Sequence, residues 1–272
     1  FPFCFASRLL YWGGRLENLM LLDRAYPETF THQEAVFLAS LQGPPQTVRS
    51  RTRIVRAHTR LDRSLYLEEG MVGRYTCDRS GRRQFVGLQI PGDYFDLAAY
   101  LLGTLDHDVD ALGEATLRET AFEDLNRVRD EHPELYSKLW RISLIDASVH
   151  RYWIFRTGRL AGKARLANFL AEMYTRLYAR GLCGPEGYRL PLSQNDLAEV
   201  CGMTSVHVNR LLRELRLDRI CTILDGMVQV ENPVALIRLG QFSPAFLYLE
   251  STIAERVALL LKNLGDEKNR SA

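Results

Sequence analysis

Twenty residues, Gln194 to Arg213, carry the densest chemical signal in this 272-residue chain. Arg210 can make the bidentate bond to guanine that dominates base readout, and Asn209 or Ser205 can hydrogen-bond a base or a phosphate. Val206 suits a thymine methyl group, and Thr204 and Arg213 fall on the same face. His207 either touches phosphate or packs. Ser193 and Gln194, just upstream, complete the candidate DNA-contacting set.

Such a face must be held out by a rigid support, and the same window supplies one. Ser193 can cap a first helix that ends at Gly202, and Thr204 can cap a second running to Leu217. Two helices crossing over a tight turn need a small residue at the close approach, here Ala198. They also need a residue that tolerates positive φ, here Gly202. Leu197, Cys201, Met203, Val208 and Leu211 fall where a shared apolar core requires them. The pattern predicts a helix-turn-helix. Beyond it, Ile220 to Glu231 reads as a hairpin around Asp225-Gly226, which makes the motif a winged one. Asn232-Pro233 then opens a short helix. From about Ser251 the chain is amphipathic, with no role that the pattern reveals.

Charge agrees with a polyanionic partner. Arg151 to Arg219 contains twelve Arg or Lys against six acids, whereas the whole chain is only +2. Composition is otherwise that of a globular protein, with 46% apolar and 25% charged residues, and excludes disorder and collagen-like repeats. Five scattered cysteines without a CxxC pair argue against a disulfide framework or zinc ribbon and fit a reducing cytoplasm. No apolar run reaches the ~18 residues of a membrane span. Residues 1–19 read as an extension, with Met20 a more natural start.

Upstream of the motif, Leu135, Leu139, Ile142, Ile145, Val149 and Tyr152 form one stripe along a helix of about six turns beginning near Pro133. The periodicity allows either core within one subunit or a seam against a second copy. Another amphipathic helix runs through Leu166, Phe169, Leu170, Met173 and Leu177. From Thr47 to Phe122 the texture is different. Short runs such as 53–55, 64–67 and 84–88, separated by Glu69-Gly70, Gly81 and Pro91-Gly92-Asp93, predict an antiparallel barrel or roll. Arg49, Arg51, Arg53, Arg56, Arg60 and Arg63 crowd its start and read either as an anion-facing strand or, since alternation puts the first three on one side, as a solvated strand face. Before the roll, Thr31-His32-Gln33-Glu34 is a capping box that predicts a short helix ending near Gly43.

A β-roll, a long helix and a C-terminal winged helix-turn-helix, in that order, resemble the Crp/Fnr family of bacterial transcription regulators. Leu65 to Val72, Gly81 to Gln84 with Pro91-Gly92-Asp93, and above all Leu192 to Ala198 through Val208-Asn209-Arg210 carry the likeness, which covers roughly residues 20–250. It implies an α+β chain: an extension (1–19), a cyclic-nucleotide-binding-like roll (20–128), a dimerisation helix (129–160), a winged helix-turn-helix (161–245) and a tail (246–272). It also implies a cytoplasmic homodimer joined along the long-helix stripe. The partners would be a two-fold symmetric double-stranded DNA site and RNA polymerase, with the effector unknown and no membrane.

Family members that bind cyclic nucleotides carry Gly-Glu and Arg-Ser/Thr, whereas this chain has Gly92-Asp93 and the acidic stretch Asp106-His107-Asp108-Val109-Asp110. With no arginine there in sequence, the carboxylates would repel a cyclic phosphate. Only Cys4 stands where iron–sulfur members have a cluster of cysteines, and Cys77 reads as a buried strand residue rather than a haem or redox ligand. No cofactor is expected. Two alternatives remain: a sensor acting through protein contacts, which the retained Asn209, Arg210 and Arg213 oppose, and a cupin-like metalloenzyme. The six histidines are spread singly with no HxH pair, and neither GxSxG nor HExxH occurs, so no enzyme is expected.

Overall fold

The computed structural model describes residues 22–269, with side chains to residue 260; the extension expected at 1–19 lies outside the described residues. Among the described residues two compact units emerge, one of residues 22–72 and 89–143, the other of 73–88 and 144–269.

The first unit begins with α1 (Leu22–Ala25) and α2 (His32–Ser40). Both halves of the capping box at α2 form: Glu34 N donates to Thr31 Oγ1 (3.2 Å), and Thr31 N donates to Glu34 Oε2 (2.8 Å). The strands β1 (Gln46–Val48), β2 (Arg53–Val55) and β3 (Arg63–Glu69) follow. Next come the hairpin β4 (Val72–Cys77) and β5 (Arg83–Gln89), then β6 (Tyr94–Phe95), α3 (Leu97–Leu102), β7 (Asp108–Ala111) and β8 (Ala115–Ala121). The order β1-β8-β3-β6 is antiparallel throughout, with Leu67 opposite Leu117 and a register shift before Glu69. Gly70 (φ +86°) makes the turn that follows; a Cβ there would lie 2.4 Å from the Glu114 carbonyl oxygen. Leu67, Val72, Phe95, Ala99, Val109 and Ala111 fill the roll, so the expected antiparallel roll is present.

Arg53 is not simply solvated. Its guanidinium lies 3.8 Å from Asp108 and 3.4 Å from Asp110. The acidic stretch therefore does have an arginine, brought by strand pairing from 55 residues away, and its repulsion of an anion is partly cancelled. Cross-strand Arg63–Glu119 and the buried Arg118, held by Glu68 and the Gly43 carbonyl, close further charges.

α4 (Phe122–Glu131) and the long α5 (Pro133–Arg159) come next. Leu135, Leu139 and Ile142 of α5 pack with Phe30, Leu38, Tyr66, Leu125 and Val128 in the first unit's second core. These three residues of the stripe are therefore covered within their own subunit. Val149 is buried in the second unit, Ile145 is half-buried, and Tyr152 stacks on Phe246 (3.6 Å between ring centres, 6° between planes). The open apolar surface on α5 is another set: Leu144, Ile154 and Phe155.

In the second unit, α6 (Gly162–Ala179) is buried almost all round, although its pattern reads as amphipathic. Its buried carboxylate Glu172 is internally satisfied, whereas Asn168 Oδ1 and Thr175 Oγ1 are buried without a hydrogen-bond partner among the described residues. Glu172 pairs with Arg156 of α5, both fully buried, and accepts from Trp153 Nε1 (3.1 Å) and Arg176 (3.3 Å). The Arg156 guanidinium lies 4.2 Å from the Trp153 ring centre. The hairpin residues 73–88 belong here as well. Arg74 bonds Asp146 of α5 (2.6 Å), and Arg176 donates to the Leu88 carbonyl (3.0 Å). Burial pushes the Asp146 carboxyl up, but the charges of Arg74 and His150 outweigh it, leaving it below its ordinary value. Cys77, expected to be buried, is exposed, because inward packing on β4 ends at Tyr75.

The chain then forms β9 (Gly187–Arg189), α7 (Gln194–Cys201), α8 (Ser205–Leu217), β10 (Cys221–Leu224), β11 (Met227–Val230) and α9 (Pro233–Gly240). A 3₁₀ turn (Pro244–Leu247) precedes α10 (Ser251–Asn269). Asn232 caps α9 through Ala235 N (3.0 Å), and α10 packs Ile253 and Val257 against Ala179. Among the described residues no helix is long and apolar enough to cross a membrane.

Candidate nucleic-acid interface

The site starts with two helix caps and the turn between them. Ser193 Oγ accepts from Asp196 N (3.2 Å) while Asp196 Oδ2 accepts from Ser193 N (2.7 Å), a full capping box at the start of α7. Gly202 adopts φ 59°, ψ 46°, which lets Met203 N reach the Ala198 carbonyl (2.9 Å) and turns the chain sharply. Thr204 Oγ1 then accepts from His207 N (3.3 Å) and opens α8. Leu197, Ala198, Cys201, Val208, Leu211 and Leu215 are buried, and Met203 is half-buried. The helix-turn-helix that the spacing predicts is formed.

Thr204, Val206, Asn209, Arg210 and Arg213 are exposed along three turns of one face of α8, and Ser205 is half-buried beside them. Ser193 and Gln194 are exposed at the start of α7. The structure thus brings all the candidates onto two helices of one motif. His207 packs as well as it faces out: its Nδ1 lies 3.3 Å from Arg210 Nη2, and a Cβ on Gly162 would meet its Nε2 at 2.6 Å. The Arg210 side chain is 65% exposed, with Nε 3.9 Å from Glu214, so it is loosely tethered and still free to reach outward.

Two cations of the basic segment upstream of the motif are engaged within the fold. Lys163 reaches Asp218 (2.8 Å) and Glu214 (3.2 Å), tying the start of α6 to α8; its bond to Asp218 raises its pKa above the ordinary value. Arg165 donates to the Cys201 carbonyl (2.8 Å) and the Leu160 carbonyl (2.9 Å), satisfying the open C-terminal ends of two helices. Buried Arg156 and Arg176 also drop out of the surface charge, but so do buried Glu172 and Asp196, leaving the basic excess of the segment intact. Burial pushes the Cys201 thiol up to about 11, against the pull of Arg156 and Arg165, and the Cys221 thiol up to about 12, so neither is a thiolate ligand near neutral pH.

The wing is a three-stranded sheet of order β10-β11-β9, with Asp225 (φ 49°) and Gly226 (φ 75°) both left-handed at its tip. β9 has no strand signal in the sequence: it is three residues long and starts at Gly187, whose φ is +148° and where a Cβ would lie 2.0 Å from the Val228 carbonyl oxygen. Sequence reading also misses Arg83, which stacks near Tyr75 and bonds Glu199 (2.8 Å) and Asp196 (3.4 Å), and Gln84, whose Nε2 is 3.5 Å from the Val200 carbonyl. These residues fix α7 from more than a hundred residues away, so no local pattern could reveal them. Among the described residues no group of three or more His, Cys, Asp or Glu could hold a metal ion.

Residues 164–239 match the Crp-like helix-turn-helix domain. The chain is 29% identical over 166 residues to the nitrogen fixation regulation protein FixK of Bradyrhizobium diazoefficiens, covering 61% of this chain and 68% of that one. It is 25% identical over 179 residues to the fumarate and nitrate reduction regulatory protein of Escherichia coli, covering 65% and 71%. Among solved structures, that of FixK2 from Bradyrhizobium japonicum aligns with a TM-score of 0.66 at 22% identity, covering 72% of this chain and 96% of that one.

Proposed function

We propose that this chain, a DNA-binding transcription regulator of the Crp/Fnr type, works as a homodimer that lays the Thr204–Leu217 helices into successive major grooves of a two-fold symmetric operator. The observation that carries the reading is the outward face of α8: Thr204, Asn209, Arg210 and Arg213 exposed along three turns, on a helix anchored from behind by Val208, Leu211 and Leu215. In this arrangement Arg210 reads guanine, Asn209 and Ser205 bond a base or phosphate, Val206 meets an apolar base edge, and Ser193, Gln194, Thr204, His207 and Arg213 line the backbone. Half-sites would be about one helical turn, ~34 Å, apart.

The dimer seam in this reading is the open side of α5. Leu144, Arg151 and Ile154 with Phe155 recur at heptad-like spacing, and the three apolar ones are exposed. The roll (20–128) then acts as a sensor or dimer-shaping domain in the cytoplasm, the helix (129–160) joins the copies, and 161–245 binds DNA. The apolar filling of the roll supports a member that does not sense a cyclic nucleotide, and a member without an iron–sulfur cluster rests on the sequence reading alone. RNA polymerase as a further partner rests on the resemblance.

Selection of duplexes from a random library by the purified full-length chain tests the reading, followed by footprinting of the winners. A palindromic site protected on two grooves one turn apart is expected. Enrichment of no sequence over random competitor at moderate salt would overturn it.

A further inference from the structure

Val206 is the most exposed of the large apolar side chains among the described residues, at 79%, and it sits in the first turn of α8 beside Thr204 and Ser205. Nothing in the folded chain explains it. A β-branched residue on an open helix face is a poorer helix former than Ala, Glu or Lys. Helix electrostatics at the first turn favour Asp or Glu, yet the first turn of α8 holds no acid. Both local preferences are overridden, at a position whose i+3, i+4 and i+7 neighbours are the outward Asn209, Arg210 and Arg213.

The face from Thr204 to Arg213 also carries no carboxylate, the group that most often accepts from the cytosine N4 amino group. What the first turn offers instead is two methyl groups. In the major groove the apolar feature of matching size is the C5-methyl of a pyrimidine.

We propose that Val206 is a specificity-determining residue that reads the C5-methyl group of one pyrimidine in each half-site, whether on thymine or on 5-methylcytosine. This rests on the DNA-reading assignment above and narrows it. Base choice at that position comes from burial of a methyl group rather than from a hydrogen bond. C5 methylation of a cytosine there would consequently substitute for thymine.

The test uses the full-length chain and the duplex it selects from a random library. Each thymine of the half-site is replaced in turn, symmetrically, by uracil, which keeps the hydrogen-bonding edge and removes only the methyl. Affinities are then compared for thymine, uracil, cytosine and 5-methylcytosine at the sensitive position, with the wild-type chain and Val206→Ala. One uracil position should weaken wild-type binding about fourfold per half-site, the worth of one buried methyl. 5-Methylcytosine should bind more tightly than cytosine by a similar factor, and Val206→Ala should flatten both differences. The alanine variant is expected to fold, since it improves helix propensity, and unchanged thermal unfolding checks this. A selected duplex indifferent to every uracil replacement would overturn the proposal and leave DNA reading intact. So would methyl sensitivity that survives in Val206→Ala. Failure to select any duplex would overturn both.

Discussion

In the roll, charges close on one another across paired strands: Arg53 with Asp108 and Asp110, Arg63 with Glu119, Arg118 with Glu68. The second unit closes a deeper set, Arg156 and Arg176 on Glu172 within a helix pair, and then leaves a row open on α8. Among its described residues Arg213 faces solvent with no carboxylate at ion-pair distance, and Arg210 has only a long contact to Glu214. Paired charges hold shape, and open ones are available to a polyanion. Arg49, Arg56 and Arg60 of the roll are exposed as well, so what sets the second region apart is that its open charges share one face of a helix.

The largest effect expected from that contrast is at Glu172. Glu172→Gln strands Arg156, fully buried, and weakens the hold on Arg176, so the second unit should lose about 3–5 kcal/mol in urea unfolding. The cross-strand counterpart, Glu119→Gln opposite the half-exposed Arg63, should cost no more than about 1 kcal/mol. Equal losses would erase the distinction between deep and edge pairing.

The long helix α5 gives the next test, since one end of it packs in each unit. A charge at Ile142, buried in the roll's second core, should destabilise folding by several kcal/mol because the carboxylate has no partner there. A charge at Ile154, 74% exposed, should leave stability within about 0.5 kcal/mol and halve the mass seen in sedimentation. A monomer from a folded Ile142→Asp variant would return the seam to the stripe read from the sequence.

DNA affinity comes third. Arg210→Ala should cost about 1–3 kcal/mol and relax preference at one base per half-site, whereas Arg213→Ala should weaken all duplexes alike and lower the salt dependence. Arg165→Ala should show up as lost stability of the helix-turn-helix, because its guanidinium is engaged with two helix-end carbonyls. Uniform weakening by Arg210→Ala would remove the base contact from the assignment.

What was legible in the sequence follows from range. Ser193, Gly202, Thr204 and the Asp225-Gly226 turn act within four residues of themselves, so their spacing shows in the chain and the structure forms each as expected. The two stripes on α5 interleave at similar spacing, and periodicity cannot say which one its own subunit covers. That depends on Phe30, Tyr66 and Leu125, elements distant in sequence. Arg156, Glu172 and Arg176 read as ordinary surface charges until the two helices are placed side by side, and the hold of Arg83 on α7 is longer still in sequence.

The smallest effect compares two capping boxes built alike, Thr31/Glu34 in the roll unit and Ser193/Asp196 in the DNA-reading unit. Asp196 is buried and also faces Arg83, so Ser193→Ala removes a donor from an enclosed carboxylate and should cost toward 2 kcal/mol. Thr31→Ala leaves Glu34 partly solvated and bonded to Lys138 (2.7 Å), so about 0.5–1 kcal/mol is expected. Burial pushes the Glu34 carboxyl up, but its bonds from Lys138 and Thr31 outweigh that and hold it below its ordinary 4.5. A depressed folded-state value means the contribution is complete above pH 4.5 and is lost as pH falls through the lower, folded one. The cost of Thr31→Ala, measured by urea unfolding, should accordingly be constant from pH 7 to 5.5 and shrink below 4. A cost that grows on acidification would show that Thr31 stabilises α2 by a route other than the ionised Glu34.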